Sequence, residues 1–308
     1  MRQSDAVLPP GVTVFERGWL SANNILFKGP EGSALVDSGY CSHADQTVAL
    51  VRRALADRPL DRLINTHLHS DHCGGNAALQ AAFPRVETWI PPGLKQAVRD
   101  WDLVALTYAP TGQSCPRFRV EGLLEPGTQV LLGETEWQVH AAPGHDPHSI
   151  ILFEPQLRVL ISADALWENG FGVVFPELEG EEGFADVAAT FDLIEALAPQ
   201  TVIPGHGAVF SDVAAALQVA RKRLDGYRSD PSWHAAHAAR VLLKFKLLEV
   251  QSISMTELQE WAGRTPYFDL VFARYFGNAQ FLVWLQSLVA GLVKSGAAEI
   301  VDGRIVNA

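Results

Sequence analysis

Thr66-His67-Leu68-His69-Ser70-Asp71-His72-Cys73-Gly74-Gly75 packs three imidazoles and one carboxylate into six positions. Imidazole nitrogen combined with carboxylate oxygen suits zinc, iron or manganese, and the lack of a matching cysteine set argues against a structural zinc finger. The two glycines let the backbone turn tightly beside the ligands. Just upstream, Leu63 and Ile64 read as a buried strand that ends at this cluster. The same grammar recurs three times. Residues 137–142 lead to Pro143-Gly144-His145, residues 159–161 lead to Asp164, and residues 201–203 lead to Pro204-Gly205-His206. Loop residues at the ends of neighbouring strands converge in space although they lie far apart in sequence. Taken singly, His145, Asp164 and His206 would be ordinary loop residues; their repeated placement after strands makes them candidate ligands.

Working outward, the short runs at 12–15, 24–27 and 34–36 are bounded by Gly, Pro or Asn and read as an antiparallel meander. Residues 43–56 carry an apolar stripe of helical period in Val48, Leu50, Val51, Ala54 and Leu55, with Ser42 as the N-cap. A helix starting near Ser211 meets the turn residues Ser229, Asp230 and Pro231, which mark a boundary. Beyond it the pattern changes. Ser254 and Glu257 make a capping box for a helix toward Trp261, and residues 281–293 read as another helix. Residues 298–301 and 304–306 flank Asp302-Gly303, a strong hairpin signal. This gives a catalytic domain over 1–230 and a smaller helical domain over 231–308 that looks like a winged-helix module.

Composition narrows the function. Hydrophobic residues at 48% and charged residues at 19% of 308 positions describe an ordinary globular chain. A net charge of -11 repels polyanions, and from Arg240 onward seven basic residues face six acidic ones, so no basic patch supports nucleic-acid binding. Three cysteines, Cys41, Cys73 and Cys115, form no disulfide framework and suggest a reducing compartment. The first ten residues lack a secretory pattern, and the longest apolar tract, 279–293, is interrupted by Gln280, Gln286 and Ser287. The expectation is a cytoplasmic protein that acts on a small molecule without a membrane, with the C-terminal segment available for homodimerisation.

The order of motifs resembles the metallo-β-lactamase superfamily: Asp37 in Leu35-Val36-Asp37-Ser38-Gly39, the run from His67 to His72, His145, Asp164, and His206 in Gly205-His206-Gly207. The likeness covers roughly residues 12–228. It implies an α/β fold, a four-layer αββα sandwich. It also implies that His67, His69 and His145 hold one metal ion, that Asp71, His72 and His206 hold a second, and that Asp164 bridges them with a shared water or hydroxide. Two divalent ions, most readily zinc with iron or manganese as alternatives, set against Asp71, Asp164 and one hydroxide, leave a slightly positive centre. Such a centre lowers the pKa of bound water and stabilises an oxyanion. Asp164, where true β-lactamases of this fold often carry Cys, makes the set more similar to glyoxalase II, lactonase or nuclease members. The reading is a binuclear hydrolase of a small thioester, ester or lactone, in which a bridging hydroxide attacks and Asp71 orients it. A phosphodiesterase or nuclease, and a metal-dependent ligand sensor without turnover, are the alternatives.

Asp37 is expected to buttress the metal loop through hydrogen bonds rather than to bind metal. His148, in a loop that departs from the family's usual Thr after the ligand, and Trp167, Asn169 and Phe171, in an aromatic and Gly-rich segment after Asp164, are substrate-pocket candidates. Trp101 and Tyr108 either cover the same pocket or pack in the core. Cys73 reads as a small residue in a tight loop, and His140, His234 and His237 as packed or exposed.

Overall fold

The computed structural model describes residues 8–30, 32–56 and 58–308. Three strands, β1 (Val12–Phe15), β2 (Asn24–Gly29) and β3 (Gly32–Val36), form the expected antiparallel meander. β4 (Arg62–Ile64), β5 (Glu87–Ile90) and β6 (Gly122–Leu123) then add in parallel, giving a six-stranded sheet in sequence order. A second sheet runs β11-β10-β9-β8-β7, from β7 (Gln129–Leu132), β8 (Thr135–Ala141), β9 (Ile150–Glu154), β10 (Val159–Ala163) and β11 (Thr201–Pro204).

Strand alternation decides which side chains meet. Successive residues of a strand point to opposite faces. Ile25, Phe27, Val36 and Ile64 face Trp137, Val139, Leu152 and Ile161 between the sheets. Their neighbours Leu26, Leu35 and Leu63 face outward, onto Val51 and Leu55 of α1 (Ala44–Leu55) and Leu79. On the opposite side Ile151, Leu160 and Val202 are covered by helices further along the chain. The result is the αββα sandwich the sequence implies. Ser42 does not cap α1, however: a 3-10 turn over Cys41–His43 precedes the helix, which His43 enters without a side-chain cap.

The remaining helices position the site. α2 (Ser70–Cys73) is the metal-loop turn itself, and α3 (Asn76–Ala82) follows it. α4 (Lys95–Asp100) and α5 (Tyr108–Thr111) lie in the insert between the first two ligand motifs. α6 (Phe175–Glu179), α7 (Gly183–Leu197) and α8 (Val213–Ser229) follow Asp164 and Asp212, with Phe191 and Ile194 of α7 and Leu224 of α8 covering the second sheet.

At the anticipated boundary there is no loop. Asp230 ends α8 and caps α9 (Pro231–Val250), its carboxylate accepting from the Ser232 and Trp233 amides while Pro231 takes the first helical position. α10 (Met255–Ala262) carries the expected capping box, and α11 (Pro266–Val271) and α12 (Phe281–Lys294) complete a helical C-terminal region. The hairpin β13 (Ala298–Val301) and β14 (Arg304–Asn307) turns at Asp302-Gly303, both at positive φ. A third strand, β12 (Ser252–Ser254), pairs with β14; at three residues it is too short to carry an alternating pattern of its own. Val173 and Leu178 insert into this region's apolar core beside Leu243, Phe268 and Leu285. Among the described residues no single helix is long and apolar enough to cross a membrane.

Candidate metal centre

Each candidate ligand follows a strand. β4 delivers His67 and His69 and, through α2, Asp71 and His72; β8 delivers His145, β10 Asp164 and β11 His206. The seven side chains collect in two buried groups, His67 with His69 and His145, and Asp71 with His72, Asp164 and His206.

In the first group His69 Nδ1 lies 3.1 Å from His67 Nε2 and 2.8 Å from His145 Nε2. Ligands 2.0–2.1 Å from one tetrahedral ion would be roughly 3.3 Å apart, so this spacing is close to a coordination edge. The outer nitrogens are already engaged: His145 Nδ1 donates to the Val173 carbonyl, and His67 Nδ1 faces the Thr66 hydroxyl at 3.2 Å. Burial, reinforced by the neighbouring imidazoles His72, His69 and His145, holds His67 well below its usual pKa. Burial and then His145 lower His69 to about 4. The His67 and His69 rings are therefore neutral, and their inner nitrogens meet that of His145 at a common point.

The second group carries negative charge. Asp71 Oδ2 is 3.1 Å from His206 Nε2 and 3.8 Å from His72 Nε2. Asp164 faces both groups, Oδ2 3.3 Å from His145 Nε2 and Oδ1 3.4 Å from His72 Nε2. Burial pushes the Asp164 carboxyl up, but His72 and His206 outweigh it and hold it well below the usual range. Burial likewise opposes charge on His72, and Asp164, Asp37 and Asp71 together override it and raise its pKa. His72 Nε2 is fully buried and, among the described residues, has no well-formed hydrogen bond, Asp164 Oδ1 being its nearby acceptor at 3.4 Å. A buried, unpaired ring nitrogen among carboxylates is costly unless a cation completes the set. The two clusters fit a binuclear metal site.

Supporting contacts fix the rings. Asp37, at the end of β3, accepts from the Thr66 amide at 2.9 Å and hydroxyl at 2.8 Å, and lies 2.7 Å from His72 Nδ1, so it aims Nε2 inward. Two glycines leave room for the ligands. A Cβ at Gly205 would collide with Asp164 Oδ1, and one at Gly172 with His145 Nδ1.

The other candidates divide. Trp167 donates its indole N–H to Asp164 Oδ1 at 3.2 Å and packs edge-on to His206. Asn169 is exposed at the turn that follows. His148 is half-buried against Gly93, its amide donating to Asp146 Oδ1. Phe171 belongs to the core, against Phe191 and Tyr227, because the chain turns inward after Gly170. Trp101 and Tyr108 also pack behind the metal loop rather than over it. Tyr108 donates to the Leu68 carbonyl and lies 3.1 Å from Cys73 Sγ, and Trp101 packs on Phe118. His140 faces Gln138, His234 is buried, and His237 stacks on Tyr227.

Three residues beside the centre carry no sequence motif. Asp146 Oδ2 is 3.7 Å from His69 Nε2. Phe175 lies 5.1 Å from the His69 ring. Trp19 stacks on His206 at 5.3 Å and 10° between planes. An acid directly after a ligand was a usable signal for Asp146; for the two aromatics there was none.

Residues 17–206 match the sequence model of the Metallo-beta-lactamase superfamily. The chain is 28% identical over 144 residues to the hydroxyacylglutathione hydrolase of Enterobacter sp. (strain 638), covering 46% of each protein. It spans about half the length of the curated relatives it matches. Among solved structures, the metallo-beta-lactamase family protein TTHA1429 from Thermus thermophilus is similar at a TM-score of 0.57 and 18% identity, over 98% of this chain and 100% of that one. TTHA1623, solved in a di-iron-bound form, is similar at a TM-score of 0.54 and 25% identity, over 68% of this chain and 98% of its own.

Proposed function

The chain belongs to the metallo-beta-lactamase superfamily, and on that premise we propose that it is a binuclear metal-dependent hydrolase of a small thioester, ester or lactone. The observation that carries this reading is the placement of Asp164, one oxygen toward the nitrogen group and the other toward His72, which is the disposition of a bridging ligand.

In this reading His67, His69 and His145 would hold one ion and Asp71, His72 and His206 the other, with Asp164 available to both. A bound metal pair lowers the pKa of water toward neutrality and supplies positive charge where an oxyanion develops. Asp71 has a distinct part. Burial raises its pKa, but His72 and His206 outweigh burial and keep it ionised, so besides serving the second ion it would offer a negative charge that orients the attacking water. Asp37 holds His72 in the tautomer whose Nε2 faces the site. The curated hydroxyacylglutathione hydrolases among the relatives support acyl chemistry. The di-iron form of a relative makes iron a candidate metal beside zinc. Three unpaired cysteines support a cytoplasmic location, which fractionation of native cells would check.

The test is elemental analysis of protein purified without added metal, followed by a screen of neutral thioesters, esters and lactones. About two ions per chain and turnover of at least one class are expected. Protein that holds its full metal complement yet turns over none of the three classes would overturn the reading.

A further inference from the structure

We propose that Trp19 and Trp167 form an aromatic wall on the His206 side of the metal centre that binds the flat apolar or aromatic flank of an uncharged acyl substrate. What the substrate undergoes rests on the hydrolase reading above; the binding face stands on its own contacts. Trp19 lies in the loop between β1 and β2 and is 54% exposed, although one face of its indole is stacked on a buried imidazole. Trp167 meets Trp19 edge-on at 5.3 Å and His206 at 5.4 Å, so the two indoles and the imidazole form one cluster. A large aromatic that packs one face on a candidate metal ligand and leaves so much of itself in water has the character of a ligand-binding surface rather than of core.

The surroundings select the ligand's class. The side chains of His69 and Asp71, 12% and 10% exposed, are where the centre opens to solvent. Across the centre Phe175 packs edge-on to both His69 and His145, and Tyr267 of α11 backs Phe175 at 5.5 Å. The opening therefore has aromatic groups on two sides. Its polar neighbours are carboxylates: Asp146 sits beside His69, and the ion pairs of Asp71 and Asp164 among the described residues are with histidines, none with Lys or Arg. With Asp71 and Asp164 offset by bound metal, Asp146 beside His69 is the carboxylate left at the opening to disfavour an acidic flank, whereas a neutral aryl group would stack on the indoles. Aromatic stacking of this kind is worth about two- to tenfold in affinity.

Hydroxamates chelate metal pairs without being hydrolysed, so they read this wall independently of turnover. The experiment measures the affinities of acetohydroxamate, benzohydroxamate and 4-carboxybenzohydroxamate for the metal-loaded full chain by calorimetry, with metal content checked in every variant. Wild type should bind benzohydroxamate about tenfold more tightly than acetohydroxamate, and more tightly than the carboxylated probe. Trp19→Ala should bring the aryl-to-methyl ratio close to one while leaving acetohydroxamate binding unchanged, and Trp19→Phe should restore most of it. A ratio near one in wild type, a ratio unchanged in Trp19→Ala, or equal loss for both probes would overturn the wall; tighter binding of the carboxylated probe would overturn the uncharged class. Aryl preference together with no turnover of any ester, thioester or lactone would defeat the hydrolase reading and leave the wall standing.

Discussion

The two halves of the metal centre are built differently and held by different parts of the chain. The His67, His69 and His145 half offers only imidazole nitrogen, whereas the Asp71, His72, Asp164 and His206 half brings two carboxylates. The second half is gripped by the loop before β2. The Ala22 amide donates to the Asp71 carbonyl, the Asn23 amide to the Gly205 carbonyl, and the Asn23 side chain to the Pro204 and Gly207 carbonyls. The first half leans on the segment after Asp164, where the Val173 carbonyl accepts from His145 while the Val173 side chain sits in the core of the C-terminal region. Changes in the C-terminal region should therefore reach one half first, and changes near Asn23 the other. Asp164 is the contact they share.

The largest effect tests that sharing. Asp164→Ala should empty both halves and lower turnover by about 10³-fold or more, because on the proposed reading it removes a charge and a ligand that both ions share. His69→Ala should cost mainly the nitrogen-half ion and leave close to one ion per chain. Elemental analysis of the two variants side by side decides the matter; if Asp164→Ala also retained one ion, the halves would be independent.

Next in size are the glycines beside the ligands. Gly205→Ala would drive a methyl group into Asp164 Oδ1, and Gly172→Ala would press on the His145 ring. Gly205→Ala should weaken metal retention in both halves by about a hundredfold, at the upper end of what disturbing a ligand's support costs. Gly172→Ala should weaken the nitrogen half alone. Chelator competition, read ion by ion, separates the two outcomes.

A smaller effect comes from Asp37. Asp37→Asn keeps an acceptor for the Thr66 amide but removes the charge that faces His72 Nδ1. Affinity in the carboxylate half should fall about tenfold, with the nitrogen half unchanged. Equal weakening of both ions would show that Asp37 supports the loop as a whole rather than His72.

What was legible in the sequence follows the same physical line. That the candidate ligands come together could be read because each group of them follows an apolar strand, and strand ends of a sandwich lie together at one edge. Asp37 could be read because a carboxylate at the end of β3 needs only the next strand to reach Thr66 and His72. Trp19 could not, since its contact with His206 depends on how the loop before β2 folds across the strand ends, which no local pattern specifies. Phe171, close after Asp164, reads equally as pocket lining or as core, and the strand-like turn at Trp167 and Gly170 sends it into the core. At Asp230 the turn residues do end a helix; that the same carboxylate starts the next helix at once depends on Pro231 falling at the first helical position.

The smallest effect separates burial from ligation. His234 of α9 is as buried as the candidate ligands, yet its Nε2 accepts from the Val174 amide, the residue beside the one that holds His145. Burial, with a minor contribution from His237, lowers its pKa from 6.5 to about 3. The folded protein thus refuses a proton that the unfolded chain accepts below its ordinary pKa. His234 therefore contributes stability that is complete above pH 6.5 and declines as the pH falls toward its folded value. The slope approaches about 1.4 kcal/mol per pH unit for one such group. Denaturant unfolding between about pH 6.5 and 4 should show that slope, and His234→Gln, which keeps an acceptor for Val174 but does not titrate, should flatten it. The acid limb should also loosen the nitrogen half, through Val174 and Val173, before the half held by Asn23. A slope identical in wild type and His234→Gln would assign the acid sensitivity to other buried histidines, His237 and His69 among them, and would show that His234 does not carry it.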